Sequence, residues 1–160
     1  MISIRRAEHR DAASIIAAHV RSIREVCSKS YTPAQIEAWS SRDFKENVWC
    51  QTIDRDCVWV LDSGERILGF GHLRFNSAEL GTIEGLYFVP EANGRGLGKK
   101  LMSLIYAHLE QTSVEKLVLQ ATLNAEGFYY AMGFQSVGST FVEFHGEKVE
   151  CVDMVNSLPF

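Results

Sequence analysis

The stretch Val89-Pro90-Glu91-Ala92-Asn93-Gly94-Arg95-Gly96-Leu97-Gly98-Lys99-Lys100-Leu101 lies between a predicted strand and a predicted helix. Three glycines alternate with larger residues in it, and glycine permits left-handed backbone and a close approach of a ligand to the amides. The first N–H groups of a helix have no intrahelical partner and form the positive end of its dipole. The stretch therefore predicts an anion-binding turn. Its basic residues are Arg95, Lys99 and Lys100.

The glycine spacing does not match the two familiar nucleotide-binding loops. A dinucleotide-binding turn has the pattern G-x-G-x-x-G, whereas here the glycines are Gly94, Gly96 and Gly98. A P-loop needs Ser or Thr after its Gly-Lys pair, and here Lys99 is followed by Lys100. The alternative to a phosphate-binding turn is a plain glycine-rich connector with solvated basic residues.

Outward from this turn, hydrophobic periodicity predicts an alternation of strands and helices. We predict strands at 2–6, 57–61, 67–75, 81–89, 116–120, 135–144 and 148–155 and helices at 11–28, from 32, from 97 and at 124–132. Residues 42–51 add a possible helical piece. The order β-α-α-β-β-β-α-β-α-β-β predicts an α/β fold with a mixed sheet, antiparallel except for one parallel pair spanning 89–119.

Length and composition predict one domain over residues 1–160, with 46% hydrophobic residues and a net charge of −4. The negative charge argues against a nucleic-acid partner or an anionic membrane surface. No apolar run is long enough to span a membrane, and the first residues do not resemble a secretory signal, so we expect a soluble cytoplasmic protein. The four cysteines form no CxxC pair and the five histidines have no ligand spacing, which predicts reduced thiols and no metal.

Two segments resemble motifs of the GNAT superfamily of N-acetyltransferases. Gly96 and Gly98 follow a strand that ends in Phe88-Val89-Pro90, and they resemble motif A. That motif has the pattern Q/R-x-x-G-x-G/A and follows a strand that ends in Val-x-Pro. The downstream segment 125–134, Ala-Glu-Gly-Phe-Tyr-Tyr-Ala-Met-Gly-Phe, resembles motif B. The resemblance covers about the whole chain and implies a GNAT-like acyl-CoA N-acyltransferase fold, acetyl-CoA as donor and a primary amine as acceptor.

The resemblance also implies a set of cofactor-binding residues. They are Phe88, Val89, Asn93, Gly94, Arg95, Gly96, Leu97, Gly98, Lys99 and Asn124. The backbone N–H groups of Phe88 and Val89 are the implied donors to the thioester oxyanion. Asn93 departs from the motif, because a Gln or Arg usually stands there, and either Thr122 or Asn124 is the small polar residue expected before motif B.

Amine acetylation requires a base for the ammonium and an acid for the departing thiolate. An alkyl ammonium has a pKa of about 10.4, so a base must assist at neutral pH. Glu84, in an otherwise apolar strand beside Gly85, is our candidate, and the resemblance implies such a glutamate acting through water; His72 on the next strand is the rival. The resemblance assigns the acid to Tyr129. Nucleophilic catalysis by cysteine is the competing mechanism, and direct transfer is preferred.

Acceptor specificity is predicted to lie in the irregular segment 28–51. The resemblance places this segment over the acceptor site, where Tyr31 and Trp39 would line the wall with His72 nearby. The acceptor is a small-molecule or peptide amine. The last predicted strand, 148–155, offers a possible homodimer contact. The alternative function is an acyl-CoA-binding sensor or docking module that turns over weakly.

Overall fold

The computed structural model describes residues 1–160. Its helices are α1 Ala12–Glu25, α2 Pro33–Ser40, α3 Glu46–Arg55, α4 Leu97–Leu109 and α5 Glu126–Ala131. Its strands are β1 Ser3–Arg6, β2 Cys57–Asp62, β3 Ile67–Phe75, β4 Leu80–Phe88, β5 Lys116–Thr122, β6 Gln135–Phe144 and β7 Glu147–Ser157. None of these helices combines the length and the hydrophobicity that crossing a membrane requires.

The seven strands form one sheet in the order β1-β2-β3-β4-β5-β7-β6. Every neighbouring pair is antiparallel except β4 and β5, which run parallel. This pair flanks α4, as the strand–turn–helix–strand pattern predicts, because a parallel connection needs a crossover. The predicted mixed sheet is therefore confirmed.

The helices differ from the prediction at two places. The first ends at Glu25 rather than at residue 28, and a separate 3₁₀ turn, Cys27–Lys29, follows it. The predicted helical piece over residues 42–51 is a full helix, α3, which lies at Glu46–Arg55, so three helices precede β2. Polar and aromatic residues of modest helix propensity made α3 hard to recognise, and it is held by packing of its Trp49 on the sheet.

The start of α2 agrees with the predicted capping box. The Thr32 hydroxyl accepts a hydrogen bond from the Gln35 N–H at 3.2 Å, and the Gln35 side chain accepts one from the Thr32 N–H at 2.8 Å. Pro33 occupies the first helical position, where the missing N–H has no intrahelical role.

The sheet separates two packed layers, because alternate side chains of a strand face opposite sides. In β2, Trp59 and Leu61 pack in the main core, which includes Leu101 and Ile105 of α4. Val58 and Val60 point the other way and pack with Ile15 of α1. A third cluster joins the end of α1 to α2 and β7.

The last strand is not an edge strand, contrary to the prediction of a dimer contact there. β7 lies between β5 and β6 and pairs with both over most of its length. The two edges of the sheet are β1 and β6. From Cys151 to Val155, β7 therefore has no free backbone edge for a second copy, since β5 and β6 both pair with it there.

Candidate active site

A gap in the sheet organises the candidate site. The parallel strands β4 and β5 pair only from Leu80–Lys116 to Ile83–Leu119, and both strands continue beyond that point. The gap joins two cavities that share four lining residues, Gly85, Tyr87, Gln120 and Thr122. We call them the glycine-turn cavity, of about 660 Å³, and the aromatic cavity, of about 760 Å³.

The turn before α4 presents an uninterrupted row of free donors. The backbone N–H groups of the six residues 94–99 have no acceptor within the chain, and the first helical hydrogen bond runs from the Lys100 N–H to the Gly96 carbonyl oxygen at 3.0 Å. Gly94 and Gly96 have φ values of 71° and 72°, the left-handed region that favours glycine. Such a row at a helix N-terminus binds anions, phosphate above all.

Gly98 is constrained differently from the other turn glycines. A Cβ at this position would lie 3.1 Å from ring atoms of both Phe88 and Phe128. Glycine at this position therefore lets the two rings pack directly against the backbone of the turn. Phe88 and Phe128 line the same cavity.

Most of the predicted cofactor residues line the glycine-turn cavity. They are Phe88, Asn93, Gly94, Gly96, Leu97, Gly98, Lys99 and Asn124. Arg95 does not line it, although it lies within the turn, so the nearby positive charge comes from Lys99 and from Lys29. Lys29 was not predicted, because it lies more than sixty residues away in the sequence and only the fold brings the end of α1 to this cavity.

Val89 is buried, and its N–H is already used, contrary to the predicted role as an oxyanion donor. It donates to the Leu68 carbonyl oxygen of the neighbouring segment at 2.9 Å. Successive N–H groups of a strand point to opposite sides. The Phe88 N–H therefore points toward the gap, which leaves Phe88 as the backbone donor of the pair.

Tyr129 reaches the glycine-turn cavity from α5. The side chain is buried, and its ring packs edge-on against Phe128 and Phe134 at 5.2 and 5.8 Å between centroids. Burial, without any hydrogen-bond partner, raises the pKa of the phenol above its ordinary value. Tyr129 is therefore protonated at neutral pH and free to donate. Its neighbour Tyr130 is 71% exposed and lines neither cavity.

Glu84 is the extra residue of a β-bulge. His72 of β3 pairs with Gly85 and Leu73 pairs with Ile83, so Glu84 has no partner across the ladder. Glu84 lines the aromatic cavity, and its carboxylate forms an ion pair with the Arg74 guanidinium, with 2.7 Å between Oε1 and Nε. The bulge thus turns the predicted base toward the cavity.

The rival base, His72, also lines the aromatic cavity. Its Nε2 lies 2.7 Å from the Asp56 carboxylate, which Arg55 contacts through two further hydrogen bonds of 3.0 Å. Desolvation works to raise the pKa of buried Asp56, but the hydrogen bonds from Arg55 and His72 outweigh it and hold that pKa below its usual range. The sequence did not indicate this His–Asp pair.

Trp39 and Tyr31 were both predicted to line the acceptor site, and only Trp39 lines the aromatic cavity. Trp39 lines the cavity and stacks on Phe144, with ring centroids 5.9 Å apart and an interplanar angle of 5°. Tyr31 lines neither cavity, contrary to the prediction. Its hydroxyl instead donates to the Glu150 carbonyl oxygen at 2.6 Å and accepts from the Leu123 N–H at 2.9 Å.

The cysteines at the gap are protonated thiols. Cys27 lines the glycine-turn cavity and Cys151 the aromatic cavity, and burial raises their pKa values to about 12 and about 11. A thiolate, not a thiol, is the nucleophile. The Cys57 Sγ lies 3.5 Å from the His108 Nε2, a pairing the sequence did not suggest, but neither residue lines the glycine-turn cavity or the aromatic cavity.

His19 of α1 is a further residue of the aromatic cavity that the sequence did not single out. It is 8% exposed, both ring nitrogens lack a hydrogen-bond partner, and its ring lies 4.2 Å from that of Tyr87. Burial, aided by the charge of Arg42, lowers its pKa to about 3.

An anion-binding turn that opens through a split sheet into a second cavity is the arrangement of an acyltransferase with two substrates. A family model described as the acetyltransferase (GNAT) domain matches residues 27–158. The chain therefore belongs to the GNAT acetyltransferases, and the family resemblance of the two motifs is confirmed.

Individual relatives agree with this assignment. An uncharacterised N-acetyltransferase, YafP of Escherichia coli, is 28% identical over 145 residues, which cover 91% of this chain and 89% of YafP. A peptidyl-lysine N-acetyltransferase, YjaB of Salmonella typhimurium, is 27% identical over 163 residues, which cover 97% of this chain and 98% of YjaB. The crystal structure of the PaiA N-acetyltransferase of Thermoplasma acidophilum with coenzyme A superposes with a TM-score of 0.80 at 19% identity, over 98% and 99% of the two chains.

We predict that His19→Phe makes the free energy of unfolding depend less on pH between pH 7 and pH 5. The unfolded histidine binds a proton below its ordinary pKa of 6.5, whereas folded His19 does so only near pH 3. The unfolded state therefore binds more protons in this window, and stability falls as the pH falls through it. Between pH 7 and pH 5 the wild type should lose about 2 kcal/mol more than His19→Phe.

Urea unfolding at the two pH values measures this difference. The control is His145→Asn, which removes an exposed histidine from the β6–β7 turn and should leave the pH dependence unchanged. Equal losses in the wild type and His19→Phe would mean that folded His19 accepts a proton in this range.

Proposed function

We propose that the chain is a single N-acetyltransferase domain, residues 1–160, that moves an acetyl group directly from acetyl-CoA to a primary amine. The observation that carries this proposal is the row of six free N–H groups at residues 94–99, opening through the sheet gap into a second cavity. One ligand must bring an anion to the turn, and a second must meet it across the gap. A cytoplasmic location stays a prediction.

The pyrophosphate of acetyl-CoA fits the turn by charge and geometry. Free N–H groups and the helix dipole favour an anion there, and Lys29 and Lys99 supply positive charge. The acyl arm would then follow the unpaired edge of β4 toward Gly85, where the two cavities meet. The similar Thermoplasma acidophilum protein was crystallised with coenzyme A, which supports the same donor here.

Direct transfer assigns one role to each element at the gap. The amine nitrogen forms a bond to the thioester carbon while the Phe88 N–H stabilises the oxyanion. The C–S bond then breaks, its electron pair leaves on sulfur, and Tyr129 protonates the thiolate. The proton lost by the amine passes to Glu84 through water. The high pKa values of Cys27 and Cys151 argue against an acyl-cysteine intermediate.

The test of the proposed function is release of free CoA thiol from acetyl-CoA in the presence of an amine panel. The panel contains small amines, amino acids and a lysine-containing peptide, because the relative YjaB is named a peptidyl-lysine N-acetyltransferase. Thiol release that depends on amine, with acetylated amine recovered by mass spectrometry, is the expected result. Tight acetyl-CoA binding without amine-dependent release would instead identify an acyl-CoA-binding module.

Gly98→Glu is predicted to weaken acetyl-CoA binding. The added side chain must displace the Phe88 and Phe128 rings, and it brings a negative charge to the pyrophosphate position. We expect the Kd, measured by calorimetry on folded protein, to rise at least about tenfold. The control is Gly127→Glu, because that glycine is exposed and nothing lies within 4 Å of an added Cβ. An unchanged Kd in Gly98→Glu would place the pyrophosphate elsewhere.

Tyr129→Phe is predicted to lower kcat by about 100-fold, the usual scale for loss of a general acid. The acetyl-CoA Kd should stay within about twofold, because the lost hydroxyl acts on the departing sulfur rather than on the phosphates. Steady-state kinetics and calorimetry measure the two quantities. Tyr130→Phe removes an exposed hydroxyl from the next position and is the control. Full kcat in Tyr129→Phe would eliminate the acid role.

The identity of the base is tested by the pH dependence of kcat/KM. Glu84→Gln keeps the size of the side chain but cannot accept a proton, so we expect a loss of the acidic limb and a fall of about 100-fold. His72→Gln should retain that limb, since it leaves the Glu84 carboxylate in place. The reverse pattern would identify His72, oriented by Asp56, as the base.

A further inference from the structure

Arg42 is a cation without a counter-ion in the wall of the aromatic cavity. It follows α2 and lies between two phenyl rings, 4.6 Å from the Phe44 centroid and 4.7 Å from the Phe144 centroid. Its Nε donates to the Trp39 carbonyl oxygen at 3.1 Å. The other arginine of this cavity, Arg74, is bonded to Glu84, whereas Arg42 forms no ion pair.

Partial burial of the Arg42 guanidinium carries a desolvation cost, and a bound anion would offset that cost. The side chain is half-buried, and desolvation lowers the pKa of its guanidinium. A guanidinium stays charged at neutral pH, and its planar fork matches the two oxygens of a carboxylate. The two rings hold the fork in place, so little conformational entropy is lost when an anion binds.

His19 is a second, independent sign that a polar ligand group belongs in this region. Its ring is more than nine-tenths buried beside Arg42, and neither nitrogen has a partner. Buried polar atoms are normally hydrogen-bonded, so an exception in a cavity wall points to a ligand or a movement that satisfies it. Neutral His19 offers one N–H donor, which an anion on Arg42 would accept.

The remaining wall contains both polar and apolar side chains. Glu84 and His72 line the part of the cavity beside the bulge, where the amine must lose its proton. Aromatic rings make up much of the surface, among them Trp39, Trp49 and Phe70. A cavity of about 760 Å³ is of the size that holds a small molecule.

We propose that the acceptor is a small amino carboxylate, a molecule that carries a primary amine, an apolar body and a carboxylate that binds Arg42 with His19 as an auxiliary donor. Arg42 is then a specificity-determining residue. This inference rests on the proposed N-acetyltransferase function and names its acceptor class. A protein lysine side chain carries no such carboxylate, so it is the outcome that the experiment must distinguish.

The experiment compares amines that differ only in the carboxylate. L-phenylalanine is set against 2-phenylethylamine and 6-aminohexanoate against pentylamine, with a lysine-containing peptide as a third arm, and kcat/KM is read from CoA thiol release. In the wild type we expect the amino carboxylates to be favoured at least about tenfold. Arg42→Met should reduce that preference to less than about threefold by lowering kcat/KM for the amino carboxylates, and the acetyl-CoA Kd should stay unchanged because Arg42 does not line the glycine-turn cavity.

Two further variants separate charge recognition from packing. Arg42→Lys keeps the cation but loses the fork, so it should restore part of the preference. Arg24→Gln removes a guanidinium that contacts the Ser40 hydroxyl outside both cavities, and it should behave as the wild type. An equal preference in the wild type and Arg42→Met would overturn the proposal, as would a peptide accepted better than every amino carboxylate.

A binding measurement keeps the inference testable if no amine releases thiol. Trp39 and Trp49 line the cavity, so their fluorescence should change when an amino carboxylate binds to the CoA-loaded protein. Saturable binding in the wild type that weakens at least about tenfold in Arg42→Met supports the acceptor class even if turnover fails. Equal binding of L-phenylalanine and 2-phenylethylamine contradicts the acceptor class, whereas the proposed function is tested separately by thiol release across the amine panel.

Discussion

The parallel strands β4 and β5 share four residue pairs, the last of them Ile83–Leu119, and then diverge. Each diverging strand is held by its other neighbour, β4 by β3 as far as Phe88 and β5 by β7 as far as Thr122. Both cavities meet at this split, and the Glu84 bulge lies where it begins. Backbone groups left unpaired inside a protein are costly unless a ligand or water satisfies them. The split therefore explains why the same few residues serve both cavities.

The two cavities present opposite chemistry on either side of that split. The glycine-turn cavity offers backbone donors, whose direction is set by the chain itself and does not depend on side-chain rotamers. The aromatic cavity offers side chains, including Arg42 between two rings and His72 against Asp56. A backbone site suits a constant ligand, and a side-chain site can change with few substitutions. This division fits a shared donor and a variable acceptor.

The features that could be predicted from the sequence are those encoded locally. The glycine turn, the parallel pair and the bounds of β6 follow from spacing and periodicity within single segments. The features that were missed depend on contacts between distant segments, such as Lys29 at the glycine turn and the Arg42 and His19 pair in the aromatic wall. Tyr31 was placed wrongly because aromatic character does not reveal whether a hydroxyl will find backbone partners. The sequence also did not indicate that β7 lies between β5 and β6, since neighbours along the chain need not be neighbours in a sheet.

The β6–β7 hairpin supplies residues to the aromatic cavity alone. Val142, Phe144, Val149 and Asp153 line that cavity, whereas no residue after Met132 lines the glycine-turn cavity. The hairpin docks on the rest of the sheet through one ladder, that of β7 with β5. Substitutions at the hairpin positions that line the aromatic cavity would therefore change the acceptor side of the site without altering any residue that lines the glycine-turn cavity.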